Sequence, residues 1–408
     1  LEKIKKKIQY SGHNVSQPEI DAVKEVMESG WIGKGAKSVA FESKISKMLG
    51  KEDGVFVNSG SSANLLAVTA MKKYYNMKDG DEVIVSGVNF PTTINCIIQN
   101  NLVPVFVDVE LRHYNIDVDL IEDSISENTT AIMVVHTLGN PCNMERIMSI
   151  ANKHGLIVIE DCCDALTSKY DEQPVGSFGD FATTSFYPSH LISTGGGGMV
   201  CGRNEEINKL LRSLAEWGRA CHCFGAGGMT ENGLCGERFS NWLPIDDVYD
   251  HKYVYDNIGY CLINNDISAA IGLEQLKMIG YMKDRRTYHF YDFLDFFGVE
   301  YNDTFVLPSS YCIAEPTWFA FPLTIRPEAG FKRSELVKHL EDYNIQTRPI
   351  FGGNLLLHPL YKKSKCRVPN KLEVSNLITE SSFFIGVWES TTKQEIEYTK
   401  DVFREFLK

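Results

Sequence analysis

Apolar positions recur at helical spacing through residues 15–50, where Ile20, Val23, Val26 and Met27 share a face, until a glycine-rich stretch at 30–35 breaks the pattern. Beyond it, short and nearly unbroken apolar runs at 82–85, 104–107, 131–135 and 156–159 alternate with helical stretches. Runs that are apolar on both faces and separated by helices predict an α/β fold, a mostly parallel mixed sheet between two layers of helices. In such sheets ligands gather beyond the carboxyl ends of the strands, so the residues after each run become candidates for chemistry. Residues 221–250 are glycine-rich, irregular and cysteine-bearing, which predicts a long loop. A helix is predicted over 265–296, and after it a smaller α+β unit with a strand at 317–325 and helices at 334–343 and 393–407. The expected organisation is an N-terminal arm (1–14), a large ligand-binding domain (15–250) carrying a cysteine loop at 219–250, a connecting helical region (251–297) and a small C-terminal domain (298–408).

Composition narrows the classes. Of the 408 residues 43% are hydrophobic and 23% charged, ordinary for a globular chain. A net charge of -12 argues against nucleic acid or an anionic membrane as partner, while leaving room for a local phosphate site. No apolar run reaches the roughly 18 residues of a spanning helix. The basic stretch 1–7 has no apolar core behind it, so the expectation is a cytoplasmic protein without a signal peptide. In that setting eleven cysteines read as buried hydrophobes or as metal and redox ligands rather than disulfides. Cys96, Cys142, Cys201, Cys312 and Cys366 are scattered, whereas Cys221, His222, Cys223 and Cys235 cluster.

Three further segments bear chemistry. Asn58-Ser59-Gly60-Ser61-Ser62-Ala63-Asn64 leads into a helical stretch at 65–74, and small residues at a helix N-terminus present free N–H groups to a phosphate. An ordinary serine cap explains the same residues equally well. Asp161 and Asp164 follow the run at 156–159, where a carboxylate suits a protonated ring nitrogen of a pyridoxal-type cofactor or simply caps a helix. The third segment is Thr184-Ser185-Phe186-Tyr187-Pro188-Ser189-His190, followed by the glycines 195–198. A lone histidine is more often structural than catalytic, and the glycines imply a tight turn or a close backbone approach.

Taken together these segments, with Phe90-Pro91-Thr92, His136-Thr137-Leu138-Gly139-Asn140 and Gly353-Asn354-Leu355, resemble the fold type I sugar aminotransferases (the DegT/DnrJ-like family) along nearly the whole chain. In that family the residue two after the proline is the lysine that binds the cofactor covalently; here it is His190. A histidine cannot make that bond, but its ordinary pKa of about 6.5 suits a base at neutral pH. The spacing from Cys163 to Cys221 and Cys223 is similar to that of the iron–sulfur 3-dehydrases of this family, which act on CDP-4-keto-6-deoxyglucose, although their final loop is shorter than the one Cys235 closes here. Zinc is the rival occupant of four thiols.

The resemblance implies pyridoxamine 5'-phosphate as cofactor. Gly60, Ser61, Ser62 and Ser185 would hold its phosphate, Phe90 would stack on its ring, Asp161 would face the ring nitrogen and Asp164 the ring hydroxyl. His190 would act as the base, and Cys163, Cys221, Cys223 and Cys235 would bind a 2Fe-2S cluster. Tyr187, Lys252, Phe319 and Arg348 are candidates for the sugar site. The implied substrate is a nucleotide-activated 4-keto-6-deoxyhexose in dideoxysugar and surface-polysaccharide biosynthesis, and the implied partners are a flavin and iron–sulfur reductase and a second copy in a homodimer. Relatives carry Glu where Gly196 stands, Asn where Cys261 stands and a basic residue where Ile263 stands. Two other readings remain open: a cluster-free, glutamate-dependent 3-dehydratase, and an inert binding protein with zinc in its loop.

Overall fold

The computed structural model describes residues 2–221 and 236–408. It begins with α1 (Gln17–Glu28) and α2 (Ala36–Met48), the two helices expected on either side of the glycine-rich break. Ser16 and Glu19 form a capping box on α1. Gly35 has no side chain with which to cap α2, and Asp266 does so from a distant part of the chain. Its carboxylate accepts the main-chain N–H groups of Gly35 (2.8 Å), Lys37 (3.2 Å) and Ser38 (2.8 Å) and the Ser38 hydroxyl (2.6 Å).

The chain then runs through β1 (Val55–Val57), α3 (Gly60–Tyr74), β2 (Glu82–Ser86), α4 (Pro91–Gln99), β3 (Val103–Val107), β4 (Thr129–Val135), α5 (Met144–His154), β5 (Ile157–Asp161), the short β6 (Lys169–Tyr170) and β7 (Gln173–Pro174), β8 (Phe181–Ser185), β9 (Gly198–Gly202) and α6 (Glu205–Ala215). Seven of the strands form one sheet in the order β1-β9-β8-β5-β4-β2-β3. The four apolar runs are β2 to β5; they and β8 are parallel, and β9 lies antiparallel to both β8 and β1. Apolar clusters cover both faces, one including Leu66, Ile97 and Leu211 and another including Ile116, Ile147 and Ile150. Parallel strands buried on both faces account for the unbroken apolar runs.

Apolar patterning does not find β1, β8 and β9. Strand β1 has three residues, and β8 reads Phe-Ala-Thr-Thr-Ser yet is wholly buried. Its threonines are satisfied internally, Thr183 donating to the Asn64 carboxamide oxygen (2.6 Å) and Thr184 to the Cys162 carbonyl (3.2 Å).

The rest of the described chain contains α7 (Asp266–Gln275), α8 (Ile279–Glu300), β10 (Phe305–Val306), β11 (Ala314–Glu315), β12 (Ala320–Ile325), α9 (Arg333–Asp342), β13 (Thr347–Arg348), α10 (Glu373–Ser381), β14 (Ser382–Gly386) and α11 (Lys393–Phe406). The helix expected over 265–296 is two helices, divided by one 3-10 turn at Leu276–Met278. The strand expected from 317 starts at Ala320, because the N–H of Thr317 is taken by the Ser168 hydroxyl (2.9 Å) and that of Phe319 by the Leu138 carbonyl (2.8 Å). An antiparallel sheet in the order β10-β12-β14-β13 packs on an aromatic cluster with Phe290, Phe293, Phe297 and Phe321. Ile8 from the N-terminal arm completes that cluster. Among the described residues no helix is long and apolar enough to cross a membrane.

Candidate active site

Ser59 caps α3, its hydroxyl accepting the Ser62 main-chain N–H at 3.1 Å, while the Ser62 hydroxyl donates to the Asn58 carboxamide oxygen at 2.6 Å. The N–H groups of Gly60 and Ser61 open the helix and so have no intrahelical acceptor, which makes this end receptive to an anion. The recess here is tight. A β-carbon on Gly60 would sit 2.6 Å from Ser185 Cβ and 3.1 Å from Cys163 Sγ, so the end of β8 and the turn after β5 share one wall with the helix start.

Asp161 ends β5 and is buried. Its Oδ2 accepts from Asn64 Nδ2 (2.7 Å) and Thr93 Oγ1 (3.0 Å), and its Oδ1 from the Cys163 main-chain N–H (3.1 Å). A carboxylate offers about four acceptor sites, so capacity remains for one more donor such as a ring N–H. Motif reading did not assign Asn64 and Thr93 to this carboxylate; the trace in the sequence is an asparagine set among Ala63, Leu65 and Leu66, and it is buried in the fold.

His190 lies on the loop after β8, and the loop is tied down through its main chain. The His190 N–H donates to the Tyr187 carbonyl (2.9 Å), and the His190 carbonyl accepts from Arg286 Nη2 (3.0 Å). The neighbouring Ser189 carbonyl accepts from the Ser11 hydroxyl (2.6 Å). The imidazole packs on Phe319 at a centroid distance of 5.6 Å. Its Nδ1 is 3.2 Å from Asp164 Oδ1, close enough for an ion pair but not aligned as a hydrogen bond. His190 Nδ1 and Asp164 Oδ2 are both buried without a hydrogen-bond partner among the described residues.

The other candidates are distributed around this centre. Phe90 is half exposed at the N-terminus of α4, edge-on to Phe351 at 6.4 Å, and Tyr187 is exposed. Phe319 is buried between His190, Tyr10 and Phe384, so it backs the imidazole rather than presenting a face to a sugar. Arg348 is exposed, with its guanidinium 4.7 Å from the Tyr10 ring centroid. Lys252 sits on the turn His251–Tyr253, which Asp250 caps while also binding Arg238 at 2.9 and 2.7 Å.

Of the four cysteines, Cys163 lies in the recess beside Gly60, and burial with Asp161 alongside pushes its thiol well up. Cys221 is half-buried. It follows a ribbon in which Trp217 donates to Tyr260 (2.6 Å) and Ala220 to Val254 (2.9 Å). Cys223 and Cys235 lie outside the described residues. Cys261 is exposed in the same ribbon, opposite Glu216.

The glycines 195–198 divide by cause. Gly195 has φ +79, and β-carbons on Gly197 and Gly198 would come within 2.5 Å of Thr194 Oγ1 and 2.4 Å of the Ser59 carbonyl. Gly196 meets nothing nearer than 3.9 Å.

A second buried group, His136, Glu160 and Cys162, has metal-ligand character but is already engaged. His136 Nδ1 accepts the Cys142 N–H (3.0 Å), which places the proton on Nε2, 3.2 Å from Glu160 Oε2. The Glu160 oxygens take the N–H groups of Gly176 and Gly179 as well, both at 2.7 Å. This network braces the strands rather than holding an open site.

The chain matches the DegT/DnrJ/EryC1/StrS aminotransferase family over residues 14–404. It is 40% identical over 402 residues to the lipopolysaccharide biosynthesis protein RfbH of Salmonella typhimurium, covering 97% of this chain and 91% of that one. It is also 40% identical over 381 residues to the dTDP-4-dehydro-2,6-dideoxy-D-glucose 3-dehydratase of Saccharopolyspora spinosa, covering 92% and 81%. Among solved structures, a GDP-4-keto-6-deoxymannose-3-dehydratase with a trapped PLP-glutamate geminal diamine superposes with a TM-score of 0.86 at 28% identity, covering 97% of this chain and 99% of that one. The helix-capped recess, the strand-end Asp161 and the likeness along almost the whole length lead to one assignment: the chain belongs to the DegT/DnrJ/EryC1/StrS aminotransferase family.

Proposed function

We propose that this protein is a pyridoxamine-phosphate-dependent nucleotide-sugar 3-dehydrase, which removes the carbon 3 hydroxyl of a nucleotide-activated 4-keto-6-deoxyhexose. The observation that carries the reading is His190, standing where the family's lysine stands, with its imidazole beside Asp164 and its carbonyl held by Arg286. The recess fits such a cofactor. It offers free N–H groups at the start of α3, a close approach of that helix to Ser185 that only glycine at residue 60 permits, a carboxylate with spare acceptor capacity, and two buried polar atoms, His190 Nδ1 and Asp164 Oδ2, without a hydrogen bond among the described residues.

In this reading Gly60, Ser61, Ser62 and Ser185 hold the phosphate, which matters more when no covalent bond retains the cofactor. Asp161 keeps the ring nitrogen protonated, Phe90 covers the ring and Asp164 faces its hydroxyl. When bound, pyridoxamine phosphate would supply a primary amine able to condense with a 4-keto group, with loss of water, and a ring able to act as an electron sink. His190 moves the proton at the cofactor's methylene carbon, and carbon 3 loses its hydroxyl. A base poised near neutral pH is what that transfer requires.

The finer proposal is that the sugar is CDP-4-keto-6-deoxyglucose and that Cys163, Cys221, Cys223 and Cys235 hold a 2Fe-2S cluster. Four thiols are a donor set that such a cluster takes, and it would carry electrons one at a time from a flavin and iron–sulfur reductase. A homodimer is part of the same proposal, supported by exposed apolar side chains such as Ile258, Met27 and Tyr281. The likeness to RfbH supports a role in surface-polysaccharide dideoxysugar synthesis. A second reading, the cluster-free glutamate-dependent 3-dehydratase, is favoured by the likeness to the structure caught with PLP and glutamate.

Anaerobic purification separates the two. About two iron atoms per chain, visible absorption lost on reduction and reductase-dependent turnover are expected. Iron-free protein that turns over with glutamate alone would establish the second reading instead. His190→Asn is expected to abolish carbon 3 elimination in either case, and surviving activity would remove His190 from the mechanism.

A further inference from the structure

Arg286, on α8, is 1% exposed. Its Nε donates to Glu389 Oε2 at 3.0 Å and its Nη2 to the main-chain carbonyl of His190 at 3.0 Å. Glu389 follows β14 and is also buried, and its other oxygen accepts the Trp388 indole N–H at 2.8 Å. Arginine is almost never fully buried without a partner, and a buried ion pair is often no more stabilising than well-packed apolar side chains of the same volume. What this pair does that apolar packing would not is grip one particular carbonyl, that of residue 190. A lysine bonded to the cofactor is drawn into register by that bond. A histidine has no such tether, so its main chain must be placed by the protein.

We propose that Arg286, held by Glu389, is a positioning residue that sets the reach of His190. The proposal rests on His190 being the proton-transfer base. It also makes the placement of a loop on the large sheet depend on Glu389, which lies just beyond strand β14 of the C-terminal sheet. Misplacing a reacting group by an ångström costs on the order of a hundredfold in rate.

The test is the double variant Arg286→Met/Glu389→Gln, which removes both charges so that neither is left buried alone. Two readouts are taken: the His190 ring signal in spectra of histidine-labelled protein, assigned by its loss in His190→Asn, and steady-state elimination kinetics. The expected result is a shifted or broadened His190 signal with the other histidines in place, and pyridoxamine phosphate affinity within about twofold of wild type. The kcat is expected to fall about 10- to 100-fold with KM little changed, and Arg286→Lys is expected to recover part of it. An unmoved His190 signal with wild-type kcat overturns the proposal. If the double variant does not fold, Arg286→Lys decides: an unchanged ring signal and kcat overturns the clamp, and a shifted signal with lowered kcat supports it. Wild-type protein without elimination activity would sink the functional reading, while the ring signal would still judge the clamp.

Discussion

One missing β-carbon at residue 60 lets the start of α3 close on the end of β8. Alanine there would press on Ser185 Cβ at 2.6 Å, and neither β8 nor the start of α3 is free to retreat. Gly60→Ala is therefore expected to weaken pyridoxamine phosphate binding by about tenfold or more and to cost about 1–3 kcal/mol of stability, read by absorbance titration and by denaturation. Gly196→Ala is the control: its nearest neighbour would be 3.9 Å away, and both measurements should stay at wild-type values. The two glycines look alike in the sequence, and the difference between them lies in what packs opposite. His190 is legible because it occupies a recognisable slot in a local run of residues. Asn64, Thr93 and Arg286 are not, since each matters through a partner that lies far along the chain, such as Asp161 or the His190 carbonyl.

Helix α2 is capped by a residue that sequence proximity does not reveal. Asp266 meets four donors at the N-terminus of α2 from the first turn of α7, so the two helices are joined by one buried carboxylate. Asp266→Ala is expected to cost about 2 kcal/mol, measured by urea denaturation with the slope unchanged. Asp266→Asn, which keeps one acceptor oxygen, should recover part of that loss. The elements that periodicity located well are those whose pattern is local, namely β2 to β5, α9 and α11. The break between α7 and α8 has no proline or glycine in its turn Leu276–Met278, so the periodic signal runs straight across it. Strand β8 was missed because its threonines spend their hydroxyls inside the protein, where a polar residue no longer signals exposure.

Across the whole molecule, Glu82 at the start of β2 ties the sheet to the segment before α10. Arg367 binds its two oxygens at 2.7 Å each, and Ser126 and Thr129 add hydroxyls at 2.6 and 2.9 Å. Burial tends to raise the Glu82 pKa, but Arg367, Ser126 and Thr129 outweigh it and hold the carboxyl below its ordinary 4.5. A lowered folded-state pKa stabilises the protein above the unfolded value and loses that contribution as pH falls through the folded one. The group is therefore expected to stabilise the protein at neutral pH, and that contribution should be lost as pH falls below 4.5 and through the lowered folded-state value. Denaturation midpoints across that range should fall for wild type and change less for Glu82→Gln.

Local patterning settled that this chain forms a mostly parallel sheet between helices, because burial on both faces writes itself into consecutive residues. It also placed the candidate chemistry beyond the strand ends, since each motif is a short contiguous run. The company those motifs keep depended on the order β1-β9-β8-β5-β4-β2-β3. That order brings Gly60, Cys163 and Ser185 to one wall and lets Asn64 and Thr93 converge on Asp161. The grip on His190 by Arg286 and Glu389 arises later still, when α8 and the residues after β14 pack against the large sheet. Apolar periodicity records that a face is buried, but which residues tens to hundreds of positions apart meet across it leaves no periodic mark on the sequence.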